Sequence, residues 1–465
     1  MPCCEIISFV NSIPGKRFPS AVLRRSFRKD FPAAVRGEGV YVWDASGKKY
    51  LDLSGSAAVN FIGHGVPEIA AAMAEQAAKI EFVHTSQFTT PVAEEYAEEL
   101  LAFAGEHFRG GAVYFTCGGS ESIETALKLA RQYQVEIGQA ARYQVLSRQQ
   151  SYHGSTLGAL SVSGNKRRRE MYLPMVREFA HIGMPYCYRC DFDCTDGCHN
   201  CGQQYAAELE RAIETSQGEA AAFIFEPVSG ATLGAVVPPP GYLQAVAEIC
   251  RRHGVLLIAD EVMTGMGRTG RNFAVEHWNI NPDILVTAKG LSSGYAPLGA
   301  VIASKKVVDA IAAGSGAGVF LHGFTYNAHP ISLAGGRAVL HHLQSKKLVE
   351  AADSSRPESP AASFKQALET LRSEPAVGDV RGIGLLWAIE FVADKTTKRP
   401  LPPAQNFAGR VAAAALKRGL LVYPMQGSVD GISGDHLLLA PPAIITAEQI
   451  AWAVDQLTAS IREAE

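Results

Sequence analysis

The chain has 465 residues, 47% hydrophobic and 19% charged, with a formal net charge of -3, enough length to bury a large core and divide into two or three domains. Near-neutral charge gives no electrostatic case for binding a nucleic-acid backbone, and the one basic run, Lys166 to Arg169, reads as a solvated loop. No apolar stretch approaches the ~20 residues of a bilayer span, and "MPCCEIISFVNSIPGKRF" lacks the basic-then-apolar order of a signal peptide, so a cytoplasmic protein is expected.

Residues 1–75 read as an N-terminal segment of a small domain, in which "GVYVWDASGKKYLDL" alternates and breaks at "ASGKK" as a hairpin does. From 76 to 328, strand-length apolar runs alternate with helical patterns. "GAVYFT", "RYQVLSR", "AAFIFEP", "GVLLIADE", "DILVTAKG" and "GAVIAS" are predicted strands, whereas "SIETALKLARQY" and "GYLQAVAEICRRHG" carry apolar residues at helical spacing. That alternation argues for an α/β class with a mostly parallel sheet covered by helices on both faces. Residues 329–465 begin with a helix. They continue with strands "VRGIGLLWAIEFV" and "HLLLAPP" and end in the amphipathic "TAEQIAWAVDQL", a separate α+β domain.

Nine cysteines are present, and "CYRCDFDCTDGCHNC" places Cys187, Cys190, Cys194, Cys198 and Cys201 within an insertion at 185–203. Two C-x-x-C pairs could hold zinc tetrahedrally, with His199 as an extra candidate. However, structural zinc pairs usually have a longer gap between them, and a fifth cysteine breaks the count. The expectation is therefore a reduced surface loop with no metal.

Ligands of an open parallel sheet gather at the carboxyl ends of its strands. Asp260 and Glu261 follow "VLLIA", Lys289 follows "DILV", Glu226 follows "AFIF", and "CGGSES" follows "VYFT". Gly118, Gly119 and Ser120 stand where a turn becomes a helix, which suits either an anion site or a plain N-cap. "SYHGST" offers an aromatic, Tyr152, and an imidazole, His153, in a loop. "GMGRTG" (Gly265 to Gly270) matches the dinucleotide pattern G-x-G-x-x-G. Yet "DEVMT" separates it from its strand and an arginine sits inside it, so it reads as a glycine-rich loop.

An amine and an acid on strand ends, with a phosphate cradle at a helix start, are what pyridoxal 5'-phosphate (PLP) requires. Lys289 would form a Schiff base with the cofactor aldehyde, and Asp260 would keep the pyridine nitrogen protonated. The released Lys289 amine, its charge disfavoured by partial burial, would move the Cα proton as general acid and base.

On these residues the chain resembles the class III aminotransferases of PLP fold type I, the ω-aminotransferase group. The likeness runs from "GVYVWDASGKKYLDLSG" and "IGHGVPEI" to "HLLLAPPAIIT". It is most specific in "LLIADEVMTGMGRTGRNFAVEHWNINPDILVTAKGLSSGYAPLGAVIAS". The resemblance implies a large PLP-binding domain and a small α+β domain built from the N- and C-terminal segments. It implies Lys289 as the Schiff-base lysine and Asp260 as the partner of the pyridine nitrogen. Val262 would pack on one ring face and Tyr152 on the other, with His153 beside it. Gly119 and Ser120 would bind the phosphate, joined by Thr325 of a neighbouring subunit, and Glu226 would lie near cofactor and substrate. A homodimer with shared sites follows.

The implied activity is transfer of an amino group from an amine or amino acid to a keto acid such as pyruvate or 2-oxoglutarate. The alternatives are an amino-acid racemase or epimerase of the same fold and, more remotely, a dinucleotide-dependent oxidoreductase. Two departures stand out. The stretch from Gly419 to Ile461 lacks the arginine with which many members grip the acceptor carboxylate, leaving Arg268 or the "KRRR" run as candidates. In addition, "GSAAVNF" offers Ala57 and Ala58 where related amine transaminases place a bulky aromatic wall.

Overall fold

In the computed structural model, which describes residues 21–26, 31–192, 198, 200–314, 316 and 318–465, the alternating stretch after Gly39 is the hairpin its pattern predicts. Residues 1–20, Cys194 and His199 lie outside the described residues. β1 (Ala34–Glu38), β2 (Tyr41–Asp44) and β3 (Lys49–Asp52) run antiparallel. Asp44 turns the chain by accepting, at Oδ1, the amides of Ser46 (2.9 Å) and Lys48 (3.1 Å), the local bonding that favours aspartate at turns.

The large sheet comprises β4 (Ala112–Thr116), β5 (Gln144–Arg148), β6 (His181–Ile182), β7 (Ala220–Phe225), β8 (Leu256–Asp260), β9 (Ile284–Thr287) and β10 (Gly299–Ala303), in the order β4-β10-β9-β8-β7-β5-β6. All six predicted strands are present, and β6, two residues long, is too short to leave a periodic signal. Every residue of β7, β8 and β9 is buried. Helix Gly119–Glu136 packs on the face carrying Ala222, Ile224 and Ile258. Helices Cys201–Thr215 and Tyr242–His253 cover the face carrying Phe223, Phe225 and Leu257. Burial on both sides explains the uninterrupted apolar runs.

One strand departs from the parallel expectation: β10 is antiparallel to both β4 and β9. The link from β9 to β10 holds only a short 3₁₀ turn, Lys289–Leu291. A parallel return would need a longer crossover, usually helical. Lys289 therefore sits near the start of a link, residues 288–298, that holds no α-helix and joins two antiparallel strands.

The C-terminal part contributes β11 (Val377–Ile383), β12 (Leu386–Asp394), β13 (Arg399–Pro400), β14 (Leu420–Leu421), β15 (Tyr423–Gln426) and β16 (Asp435–Leu439). The run expected as one strand is a hairpin, β11 and β12, reversing at Gly384 (φ +61). A Cβ there would lie 2.6 Å from the Thr269 backbone, so glycine serves both the left-handed backbone and the close approach. β14 pairs in parallel with β3, joining segments from the two ends of the described chain in one sheet. The final helix, Ala447–Ala464, opens with a Thr446/Gln449 capping box. Among the described residues no helix is long and apolar enough to cross a membrane.

Candidate active site

Three neighbouring strands, β7, β8 and β9, end beside one cavity of about 300 Å³, and Glu226, Asp260 and Lys289 line it. Gly118, Gly119, Ser120, Tyr152, His153 and Val262 line the same cavity. Of the residues that the resemblance assigns to the cofactor, Thr325 alone does not: it is exposed. Its segment nonetheless passes close by, since the Cys117 thiol at the cavity wall reaches the Tyr326 carbonyl at 3.6 Å.

Lys289 adopts a left-handed backbone (φ +39), a conformation unusual for a residue with a long side chain and common at functional sites. Burial pushes its amine down to about 8, against the pull of the Asp260 and Glu226 carboxylates; Arg268 and Arg168 push it lower. A substantial neutral fraction at physiological pH makes this amine a nucleophile.

Asp260 Oδ2 accepts a hydrogen bond from His153 Nδ1 at 2.7 Å, and Oδ1 accepts from the Val262 amide at 3.1 Å. The His153 backbone amide is fixed by Ser163 Oγ at 2.8 Å. With Nδ1 donating to the carboxylate, His153 Nε2 is buried with no partner among the described residues. Glu226 Oε1 accepts from the Gly230 amide at 2.9 Å, and Oε2 from the Tyr152 amide at 3.4 Å. Burial pushes the Glu226 pKa up, and the Asp260 charge adds to that effect against the lowering influence of His153.

The turn into helix Gly119–Glu136 forms the polar end of the cavity. Gly118 is extended, so the amides of the first turn are unpaired within the 18-residue helix and its positive dipole end faces the cavity wall. A Cβ on Gly119 would lie 3.0 Å from Val262 Cγ1, which ties the glycine to the close packing of these two residues. Gly154, which spacing alone did not single out, is required here. Its φ is +142, and a Cβ would lie 2.6 Å from Ser120 Oγ, an oxygen that accepts the Ser155 amide at 3.0 Å. The glycine within "SYHGST" was the available signal.

Three readings need correction. Arg268 does not face a substrate: it is 2% exposed and donates to the carbonyls of Ala440 (3.0 Å), Pro441 (2.6 Å) and Asn60 (3.0 Å). Its guanidinium also lies 4.7 Å over the Phe61 ring, so it clamps separate segments. Ala57 and Ala58 do not line the cavity; Val59 does. Left-handed backbone at Ser56, Ala57 and Ala58 breaks the register that the sequence suggested. The basic run is a single helical turn, Lys166–Arg169, and it is not wholly solvated. Arg168 is half-buried, with its guanidinium 4.3 Å over the Tyr152 ring. The "GMGRTG" segment is the loop expected, since Gly270 packs against the Asp353 backbone and no helix opens from it.

The donor set fits PLP. A buried carboxylate suits a protonated pyridine nitrogen, a partly neutral amine suits an aldehyde, and the amides at a helix start suit a phosphate. Val262 and Tyr152 line the same cavity and could pack against a ring.

The family model for class-III aminotransferases matches residues 25–461. The Bacillus subtilis aminotransferase YodT is 40% identical over 431 residues, 92% of this chain and 94% of that protein. Among solved structures, a thermostable (S)-enantioselective omega-transaminase from Thermomicrobium roseum superposes with TM-score 0.88 at 36% identity, covering 99% of both chains. A PLP-bound amine transaminase from an uncultivated Pseudomonas species gives TM-score 0.87 at 34% identity, covering 98% of this chain and 100% of that one.

Proposed function

The chain belongs to the class-III aminotransferases and transfers amino groups with PLP, and from that premise we propose that Lys289 is its cofactor-holding amine and Asp260 the partner of the pyridine nitrogen. The observation that carries this is the meeting of both side chains in one cavity whose far wall is a helix start. Bound PLP supplies a carbonyl that condenses with amines and a ring that withdraws electrons from the substrate Cα.

Asp260 would face the ring nitrogen and favour its protonated form, with His153 Nδ1 orienting the carboxylate. Val262 and Tyr152 fix the ring plane. The amides of Gly119 and Ser120, with the Ser120 hydroxyl, hold the phosphate. When not bonded to the cofactor, the Lys289 amine would carry a proton between the substrate Cα and the cofactor's aldehyde carbon. Its pKa of about 8 suits both directions of that transfer. Glu226 orders the Tyr152 and Gly230 amides.

Arg168 is our candidate for the keto-acid carboxylate. It makes no ion pair with a carboxylate among the described residues, it lies on Tyr152, and its charge is felt by Lys289. The active unit in this reading is a homodimer with Thr325 of each subunit reaching the partner's phosphate site. Exposed apolar side chains support it: Leu321 is 78%, Phe88 63% and Tyr326 57% exposed. A contact between subunits would cover them.

Borohydride treatment of the yellow protein should bleach its visible band and leave a cofactor mass on the Lys289 peptide. A fully loaded protein with Lys289 untagged overturns the assignment. Incubation with one enantiomer of an amino acid, without keto acid, should give a single turnover to the pyridoxamine form rather than continuing loss of optical activity. A panel of amine donors against pyruvate and 2-oxoglutarate then defines the substrates.

A further inference from the structure

We infer that Cys187, Cys198 and Cys201, with Cys190 drawn in as a fourth ligand, form a binding site for one thiophilic divalent cation with the chemistry of zinc, outside the cofactor cavity. The thiol sulfurs of Cys187, Cys198 and Cys201 lie within 4.8 Å of one another. A tetrahedral zinc with Zn–S of about 2.3 Å sets its sulfurs about 3.8 Å apart, so closure needs a contraction of only an ångström or less. Cys190, the other half of the first C-x-x-C pair, lies outside that group of three and would have to move in to complete the set. It also receives a contact from the Tyr205 hydroxyl at 3.8 Å.

Sequence spacing argued for a reduced surface loop, whereas the thiols lie in a packed setting. Cys201 is 1% exposed and the other three are half-buried. Phe192 and Tyr205, 4.7 Å apart edge to face, flank the group. Each C-x-x-C pair is bent by a turn: Cys187–Arg189 is a 3₁₀ turn, while Cys198 precedes Cys201 at the start of a 15-residue helix, where the Cys201 thiol donates to the Cys198 carbonyl at 3.4 Å. Two such pairs supply four ligands without Cys194 or His199, so the odd cysteine count is no obstacle. Three sulfurs around one point are a ligand geometry, whereas disulfides would bring them together two by two. A four-sulfur set selects zinc over oxygen-seeking cations. Each coordinating thiol gives up its proton on binding.

The ion would act as a staple. The first pair carries Arg189, whose Nε donates to Glu390 on β12 at 2.7 Å and whose Nη1 donates to the Lys398 carbonyl at 2.8 Å. Tyr186 hydrogen-bonds to the same Glu390, and Lys398 Nζ returns a bond to the Tyr188 carbonyl at 2.8 Å. The second pair opens the helix that packs on the large sheet. One cation thus fixes the segment docking on β12 to that helix.

The test uses PLP-loaded protein from zinc-supplemented medium. Elemental analysis after exhaustive dialysis should give about one zinc per chain, released by an organomercurial and read with a metallochromic dye. C198S/C201S should drop the content at least tenfold, and Cys250→Ala should retain it. Because the double variant could fail to fold, wild-type protein grown with cobalt provides an independent readout. Tetrahedral cobalt–thiolate bands at long wavelength, clear of the cofactor's absorption, are expected. Protein without zinc and without those bands, or with Cys187 disulfide-bonded to Cys198 or Cys201 in non-reduced peptide maps of anaerobically isolated material, overturns the inference.

Discussion

His153 Nδ1 and Asp260 Oδ2 lie 2.7 Å apart with both side chains buried, so the acid at the end of β8 is oriented by a ring from a loop 107 positions earlier. A hydrogen bond to a charged group contributes about 1.5–3 kcal/mol. His153→Phe should therefore lower kcat by about 10- to 100-fold while leaving PLP bound. Asp260→Asn, which removes the charge itself, should cost about 10²–10³-fold. Steady-state rates with the visible spectrum of each loaded variant check both.

Burial holds the Lys289 amine at about 8, and only the neutral amine attacks a carbonyl. The rate at which cofactor-free protein captures PLP should rise with pH through about 8 and then level off, well below the range where an ordinary lysine would level. The same depression has a stability sign. Between about 8 and the ordinary lysine range the unfolded chain keeps a proton that the folded chain has released, so this group's contribution to stability increases as pH rises through that window. Stopped-flow absorbance and urea titrations across pH test the two halves.

Gly154→Ala should loosen the phosphate end. The added methyl would meet Ser120 Oγ at 2.6 Å on a backbone at φ +142, and strain of this kind costs about 1–3 kcal/mol. The expected outcome is a Kd for PLP raised by about tenfold or more, measured by equilibrium dialysis.

The two buried or half-buried arginines should separate cleanly. Arg268→Met unpairs three carbonyls and should destabilise the fold by about 3 kcal/mol or more, seen as a lower urea midpoint.

Arg168→Ala should instead leave the midpoint unchanged and raise KM for keto acids by about 10- to 100-fold, the loss of one charge-assisted bond. KM for amine donors without a carboxylate should not move.

Much of this was legible because parallel strands buried on both faces announce themselves. β7, β8 and β9 read as apolar runs, and the residue after each run is where the site lies. Lys289, Asp260 and Glu226 needed no more than that and the order of the chain. What periodicity could not supply was local backbone. Left-handed residues at Ser56 to Ala58 moved the cavity wall from the alanines to Val59, and a link without an α-helix between β9 and β10 goes with the antiparallel β10. Charge patterns misled for a similar reason. Arg268 is a cation whose partners are carbonyls, and carbonyls leave no mark in a sequence. The nearness of Cys187, Cys198 and Cys201 was hidden for another reason, because a count along the chain does not show which thiols converge.

The pairing of Leu420 with Leu51 and the Arg268 clamp between the carbonyls of Asn60 and Ala440 bear on biosynthesis. Val59 and its neighbours cannot be locked against the cofactor site until the chain beyond position 440 has left the ribosome. At roughly 5–20 residues per second, the N-terminal stretch waits on the order of tens of seconds with Leu51, Leu53 and Phe61 still seeking partners that are buried in the finished fold. Such a chain should favour chaperone contact while nascent, and its refolding from denaturant should be slow and concentration-sensitive, as expected when the decisive contacts are the most distant in sequence.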